Sequence, residues 1–462
     1  MTKKQQQSTG MNASERKAVF SLAGIYALRM MGLFMILPVF SMFAHDLPDA
    51  TPWLIGLAIG IYGLTQAIFQ IPYGMLSDRI GRKPVIVMGL LIFAAGSVVA
   101  ASADSLLVIV FGRALQGAGA IAATVMALTA DLTREENRLS AMAIIGMSIG
   151  LAFTASLVLG PVLDQWIGVQ GIFWLTALLS VMAIAGVIWV VPTPVKSTFH
   201  RDAMTAPQQL GVVLKNPQLL RLDMGVFLLH MMLTATFVVL PLELRDSVHL
   251  AAESHWTVYL PVMLLSLTIM VPFVVIAEKK RKMRQVFGAA ILTLAMAECV
   301  FMLLSDSLAG MVFGLFVFFV AFNVLEATLP SLVAKMSQPD LKGTAMGAFS
   351  SSQFIGAFFG GMAGGWLYGA FGVTVVFGFC TILAMLWFSL AITMQNPRYL
   401  SSHLINVGEV DEVSARHLVT ELTAVTGVAE AVVVVEDGIA YLKVDLHALD
   451  REALKRFSAI PA

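Results

Sequence analysis

The sequence predicts an all-α membrane protein, twelve helices in two lobes, followed by a small cytoplasmic α+β domain of ferredoxin-like type. Three observations predict it. Of 462 residues 58% are apolar and 13% charged, against roughly 25% charged in an average soluble domain. The apolar residues gather in runs long enough to cross a hydrocarbon core, which takes roughly 20 helical residues. These runs lack period-two alternation, and of the two structures that satisfy their own backbone in lipid, helix and closed barrel, that leaves the helix.

A polar leader (1–17) precedes the first apolar run, 18–43, which is too long for the core of a cleaved signal peptide and is expected to remain as the first span. Eleven further spans follow at 53–77, 84–102, 105–130, 139–163, 168–191, 219–242, 256–277, 285–304, 307–334, 343–368 and 371–394. With the N-terminus inside, the intracellular segments hold 20 Lys and Arg residues before the tail, and the outer loops hold Arg245 alone. This bias places both termini in the cytoplasm. A polar connection at 192–218, with four prolines, divides the chain into lobes at 18–191 and 219–394. Two six-helix halves joined by a long inner loop suggest a cavity at their interface, as in secondary transporters.

The tail, 396–462, reads as strand (402–408), amphipathic helix (413–425), a hairpin over Asp437-Gly438 (429–446) and a second helix (450–460). That order, βαββα, suggests a ferredoxin-like domain short of its last strand. It holds no CxxC, so binding a regulator or self-association suits it better than metal delivery. Cys299 and Cys380 both lie in apolar runs and offer neither a disulfide framework nor a metal site. A net charge of zero gives no reason to expect nucleic acid. No nucleophile, metal cluster or phosphate loop emerges, so neither an enzyme nor a cofactor is expected.

The stretch GMLSDRIGRKPVI (74–86) interrupts this apolar chain with a charged knot. It closely resembles the motif between the second and third helices of the major facilitator superfamily, with Gly74, Leu76, Asp78, Arg79, Gly81, Arg82 and Lys83 in place. RALQGAGA (113–120), starting at Arg113, resembles the second signature of that superfamily. Gly150 with Gly160-Pro161 is similar to the third, that of the proton-driven efflux branch, although GPVLD stands where the branch often reads GPxxGG. The resemblance implies alternating access and a proton-coupled exporter of a small, lipophilic solute. A symporter or facilitator of a polar metabolite, or a transporter-like sensor signalling through the tail, is the alternative.

Physically, Asp78 at the inner end of the second span suits the partial positive charge where the eleventh opens near Lys342. Gly74 would let those two spans approach, Gly81 would permit the reversal, and Arg82 would reach Asp131. Together they read as a latch between the lobes. Ionisable residues inside a membrane mark function by default: Glu326, Arg113, Glu298 and His230 are the proton-coupling candidates, Glu326 first. Arg29, Tyr62, Gln66, Gln70 and Asn323 are expected to line the cavity. Asp164, Asp223 and Glu243 lie near span ends and are expected to be solvated.

Overall fold

The computed structural model describes residues 10–193, 207–338, 341–396, 400–408, 410–436, 438–445 and 448–458. Most of the leader, the inter-lobe stretch 194–206 and Asp437 of the hairpin turn lie outside them. Among the described residues, eleven helices are long and apolar enough to cross a membrane.

The helices are α1 (Ala13–Phe34), α2 (Phe40–His45), α3 (Pro52–Ile80), α4 (Arg82–Ala101), α5 (Leu106–Ala118), α6 (Ala122–Asp131), α7 (Glu135–Trp189), α8 (Leu210–Val213), α9 (Pro217–Asp246), α10 (His255–Lys279), α11 (Met283–Leu304), α12 (Leu308–Met336), α13 (Lys342–Phe371) and α14 (Val373–Ile392). Local chemistry sets many starts: Thr51, Ser105 and Ser307 cap α3, α5 and α12, Asn216 caps α9, and Pro52 and Pro217 occupy first turns. The 55 residues of α7 are twice a crossing and turn at Gly168, where φ is 64°, so α7 supplies the fifth and sixth spans and the crossings among the described residues number twelve.

Two expected single spans are broken. The first bends over residues 35–39, at Pro38, and Gly160 makes room, since a Cβ there would meet Pro38 Cγ at 2.9 Å. The fourth breaks at Gly119, whose backbone presses on α4; a Cβ would lie 3.0 Å from Phe93 N and Cβ. Within the first half α7 packs on α1 and α4, and α5 on α3 and α4; within the second α9 packs on α13 and α14, and α11 on α12 and α14. The halves meet chiefly along α3 and α13, with a smaller contact between α7 and α10.

The tail forms β1 (Ser401–Asn406), α15 (Glu412–Ala424), β2 (Val428–Val434), β3 (Ile439–Val444) and α16 (Arg451–Lys455), with an antiparallel sheet ordered β1-β3-β2. Its own apolar core joins Ile405, Leu422, Leu442 and Leu454. It touches the membrane part at one end of the second half: Lys443 Nζ donates to Ala334 O at 2.7 Å, near the end of α12, and Arg281 lies 3.8 Å from Asp445. Burial, with Lys342 and Lys335 nearby and only Glu430 opposing, lowers the Lys443 amine from 10.5 to about 8. A released tail would bind this proton up to pH 10.5 while the docked one sheds it from about 8, so docking strengthens as pH rises through that window and is weakest below it. Hydrogen exchange at residues 440–444, corrected for intrinsic rates, should slow across the window, and Lys443→Met should flatten the profile.

Candidate functional site

The charged knot ties three helix ends of the first half together. Gly81, at φ 96°, turns α3 into α4, a backbone geometry glycine adopts without strain. Arg82 then points inward: it donates to Asp78, to Ser77 Oγ at 2.6 Å and to Asp131 Oδ2 at 3.1 Å. Lys83 Nζ caps the last turn of the sixth span at Val191 O (2.5 Å), Arg79 is exposed, and Leu76 packs with Tyr73, Val85 and Ala120. In the state seen, a Cβ on Gly74 would meet within 4 Å only Ala123 of α6, so Gly74 does not bring α3 against α13 in this state.

Other glycines do that. A Cβ on Gly60 would sit 2.7 Å from Phe358 O, and one on Gly361 would sit 2.9 Å from Gly60 N and clash with Gly56 O. Backbone therefore touches backbone, as small residues allow between membrane helices. The contact runs from Pro52 opposite Gly365 to Gln70, whose amide donates to Ser351 Oγ (2.8 Å) and Gly347 O (3.3 Å). It stops short of the charged knot.

Inside the first half, Arg29 (1% exposed) donates from Nη2 to Gln66 Oε1 at 2.7 Å and to Gly119 O at 3.0 Å, at the break between α5 and α6. Tyr62 also donates to Gln66 Oε1 (3.3 Å), and its ring lies between Arg29 and Arg113, 5.8 and 5.1 Å from the two guanidinium carbons. Arg113 donates to Gln116 Oε1 (2.7 Å) and Ala58 O (3.3 Å), and Gln116 to Ser97 Oγ (2.8 Å). This pair of buried cations is held by carbonyls and rings.

Acids occupy the second half. His230 Nδ1 donates to Val226 O (3.1 Å), which fixes Nε2 of the neutral ring as an acceptor, and Gln353 of α13 donates to it at 2.8 Å. Glu326 Oε2 lies 3.8 Å from the same nitrogen, unpaired, on a side chain 42% exposed. One turn away Asn323 donates to Ser266 Oγ (3.1 Å), and Phe322 stacks edge-on to His230 at 5.7 Å. A proton arriving on Nε2 would expel the Gln353 N–H and attract Glu326. Glu298 is separate: 0% exposed, it accepts from Thr236 Oγ1 of α9 at 2.9 Å and has no partner on α12.

Two further expectations are corrected. Asp223 and Glu243 are buried, at 4% and 7% exposed, because α9 runs through the centre of the second half; Glu243 accepts from Ser247 Oγ (2.6 Å). Asp164 is half-buried. Gly150 is exposed with nothing within 4 Å, whereas Gly160 and buried Pro161 shape the bend of the first span. Sequence reasoning missed Gln353, whose role appears only through α13, and Glu15, which accepts from Arg134 N (2.8 Å), Arg134 Nε (3.1 Å) and Asn137 Nδ2 (3.1 Å) and so clasps α1 to α7. Asn12 followed three residues later by Glu15 was the available signal, a capping box.

A twelve-crossing bundle whose halves meet on glycine backbone, with buried arginines inside one half and carboxyl groups inside the other, is built as a membrane carrier. The family model for the Major Facilitator Superfamily matches residues 22–283 and 222–413. The inner membrane transport protein YajR of Escherichia coli (strain K12) is 46% identical over 445 residues, 96% of this chain and 97% of that one. The multidrug resistance protein MdtH of Yersinia enterocolitica is 26% identical over 74% of this chain and 84% of its own. A bacterial homologue of the human lysosomal transporter Spinster, inward-facing and occupied, superposes with TM-score 0.70 at 13% identity, over 84% of this chain and 98% of that one, a likeness of fold. The chain belongs to the major facilitator superfamily. It is a multi-pass inner-membrane transporter of a small molecule.

Proposed function

We propose that this transporter works by alternating access and exchanges protons for the solute it exports, with His230 and Glu326 as the proton site. One observation carries the reading: Glu326, His230 and Gln353 converge from α12, α9 and α13. The same α13 carries Gly361, which seals against α3, so a change of protonation at Nε2 acts on the helix that joins the halves. The drug-resistance role named for MdtH supports export. Proteoliposomes holding a pH-sensitive dye test it: solute efflux should run with proton entry, and flux in the same direction as protons would replace exchange by symport.

On the orientation given by the positive-inside rule, the sealed end of α3 and α13 is the outer one. The charged knot then lies at the open, cytoplasmic end, with Asp78 on Arg82. Closing that end would bring Asp78 to the opening turn of α13, the latch. Removing its charge forfeits a charge-assisted hydrogen bond of about 1.5–3 kcal/mol, screened at this half-exposed position. Asp78→Asn should therefore slow transport several-fold while the protein still folds into the membrane; unchanged turnover in proteoliposomes excludes the latch.

The sheet order β1-β3-β2 suits a ferredoxin-like domain without its fourth strand. Its contacts with α12 and Arg281 favour a regulatory role on the second half, through a bound regulator or a second copy. Deleting residues 396–462 should alter transport rate and leave the solute range unchanged.

A further inference from the structure

We propose that Arg29, Gln66 and the opening turn of α6 bind the anionic group, carboxylate or phosphate, of the transported solute. The inference rests on the transporter reading and deepens it to a substrate class. Three buried N–H-bearing atoms here have no hydrogen-bond partner: Arg29 Nε, Arg29 Nη1 and Gln66 Nε2. The amide cannot be turned to relieve this, because Gln66 Oε1 already accepts from Arg29 Nη2 at 2.7 Å and from Tyr62 at 3.3 Å. Donors are in surplus and acceptors are lacking.

The helix break supplies more donors. Arg29 grips Gly119 O at 3.0 Å, and α6 opens just beyond, at Ala122, with Ile121 at its cap position and no side-chain cap. A half-helix opening inside a membrane directs unpaired N–H groups and partial positive charge at its first turn, an arrangement suited to an anion. Nor does the first half hold a compensating charge. From α1 to the sixth span, Arg29 and Arg113 lie between the span ends, and before Asp164 there is no Asp or Glu between those ends. The Tyr62 and Phe93 rings, 5.8 and 5.2 Å from the Arg29 guanidinium, soften this charge without neutralising it.

Access runs through the joint between the halves. Tyr62 covers both guanidinium groups and touches Phe354 of α13, ring centroids 6.4 Å apart. When α13 leaves α3 this aromatic pair parts, and the donors face the central space. In the state seen, Arg29 is 1% exposed beneath the Tyr62 and Phe93 rings, so an anion reaches it only after Tyr62 moves aside.

Thermal unfolding of the purified full-length protein in detergent tests this without gradient or flux. The probes are 2-naphthoate and 2-naphthyl phosphate, the neutral 2-naphthamide, and inorganic phosphate or chloride alone. The naphthyl anions should stabilise the wild type and the amide should not. Gln66→Glu places a carboxylate on Arg29; it should keep or raise the melting temperature and weaken the anions about tenfold or more, the scale of a lost charge-assisted hydrogen bond. Arg29→Lys keeps the charge without the Nε and Nη1 donors, should weaken them similarly, and decides the matter if Gln66→Glu does not fold. Equal affinity in the variants, or equal stabilisation by the amide, overturns the site. Equal stabilisation by inorganic phosphate or chloride means an adventitious ion only and overturns the solute class. Because binding is read without transport, failure here leaves proton coupling standing, and failed coupling leaves this result readable.

Discussion

Glu326→Gln reduces flux driven by a pH gradient to that of empty liposomes, while solute binding to the purified protein persists. The amide keeps the volume of the carboxyl and cannot take a proton from His230 Nε2, 3.8 Å away. A proton on that nitrogen would still expel the Gln353 N–H, 2.8 Å away, but with no carboxylate to stabilise or receive it the release of α13 is no longer tied to proton transfer. Counterflow, solute exchanged for solute without a gradient, separates this from a general defect, and it should continue in the variant. Undiminished pH-driven flux would move the proton site elsewhere, to Glu298 first, whose Oε2 is also buried and unpaired.

Gly361→Val should be as severe for a different reason. The new side chain would sit 2.9 Å from Gly60 N and 3.0 Å from Gly60 Cα, and neither atom can move without shifting α3. Overpacking of this kind costs about 1–3 kcal/mol, and because the clash exists only while α3 and α13 touch, it falls on one state. A free-energy difference of that size moves a two-state equilibrium about 5- to 150-fold. The variant should therefore favour the state in which the Pro52 end is open, read as faster labelling of a cysteine placed beside Gly365, with solute turnover falling in proportion. Equal labelling of variant and wild type would mean that the halves do not separate along α3.

The membrane class and the twelve crossings were legible because hydrophobic length is a one-dimensional property. The breaks at Pro38 and Gly119 were not, since each depends on a neighbour, α7 at Gly160 for one and α4 at Phe93 for the other. Intramembrane charges were equally legible, so Arg29, Arg113, His230, Glu298 and Glu326 could be named from the sequence. Their grouping was not: that Glu326 meets His230 while Glu298 meets Thr236 depends on helix rotation, and a single sequence does not reveal rotation. The glycines that form the joint in this state went unnoticed for a related reason. Gly74 drew attention as part of a motif, whereas Gly56, Gly60 and Gly361 sit in unremarkable apolar runs.

The most consequential feature is the glycine content of α13 itself. Gly356 and Gly360 rest on the backbone of Phe227 and Met231, Gly364 lies 2.8 Å, by its would-be Cβ, from Ala235 Cα, and Gly361 and Gly365 rest on α3. Most helix pairs mesh like gears, so turning one means lifting teeth out of sockets. Here the teeth are filed off along both flanks. Such a rod can roll or glide between its neighbours with little friction, and the rate at which the carrier switches is then governed by the few polar catches along it, Gln353 and the Ser351 hydroxyl, rather than by the bulk of the bundle.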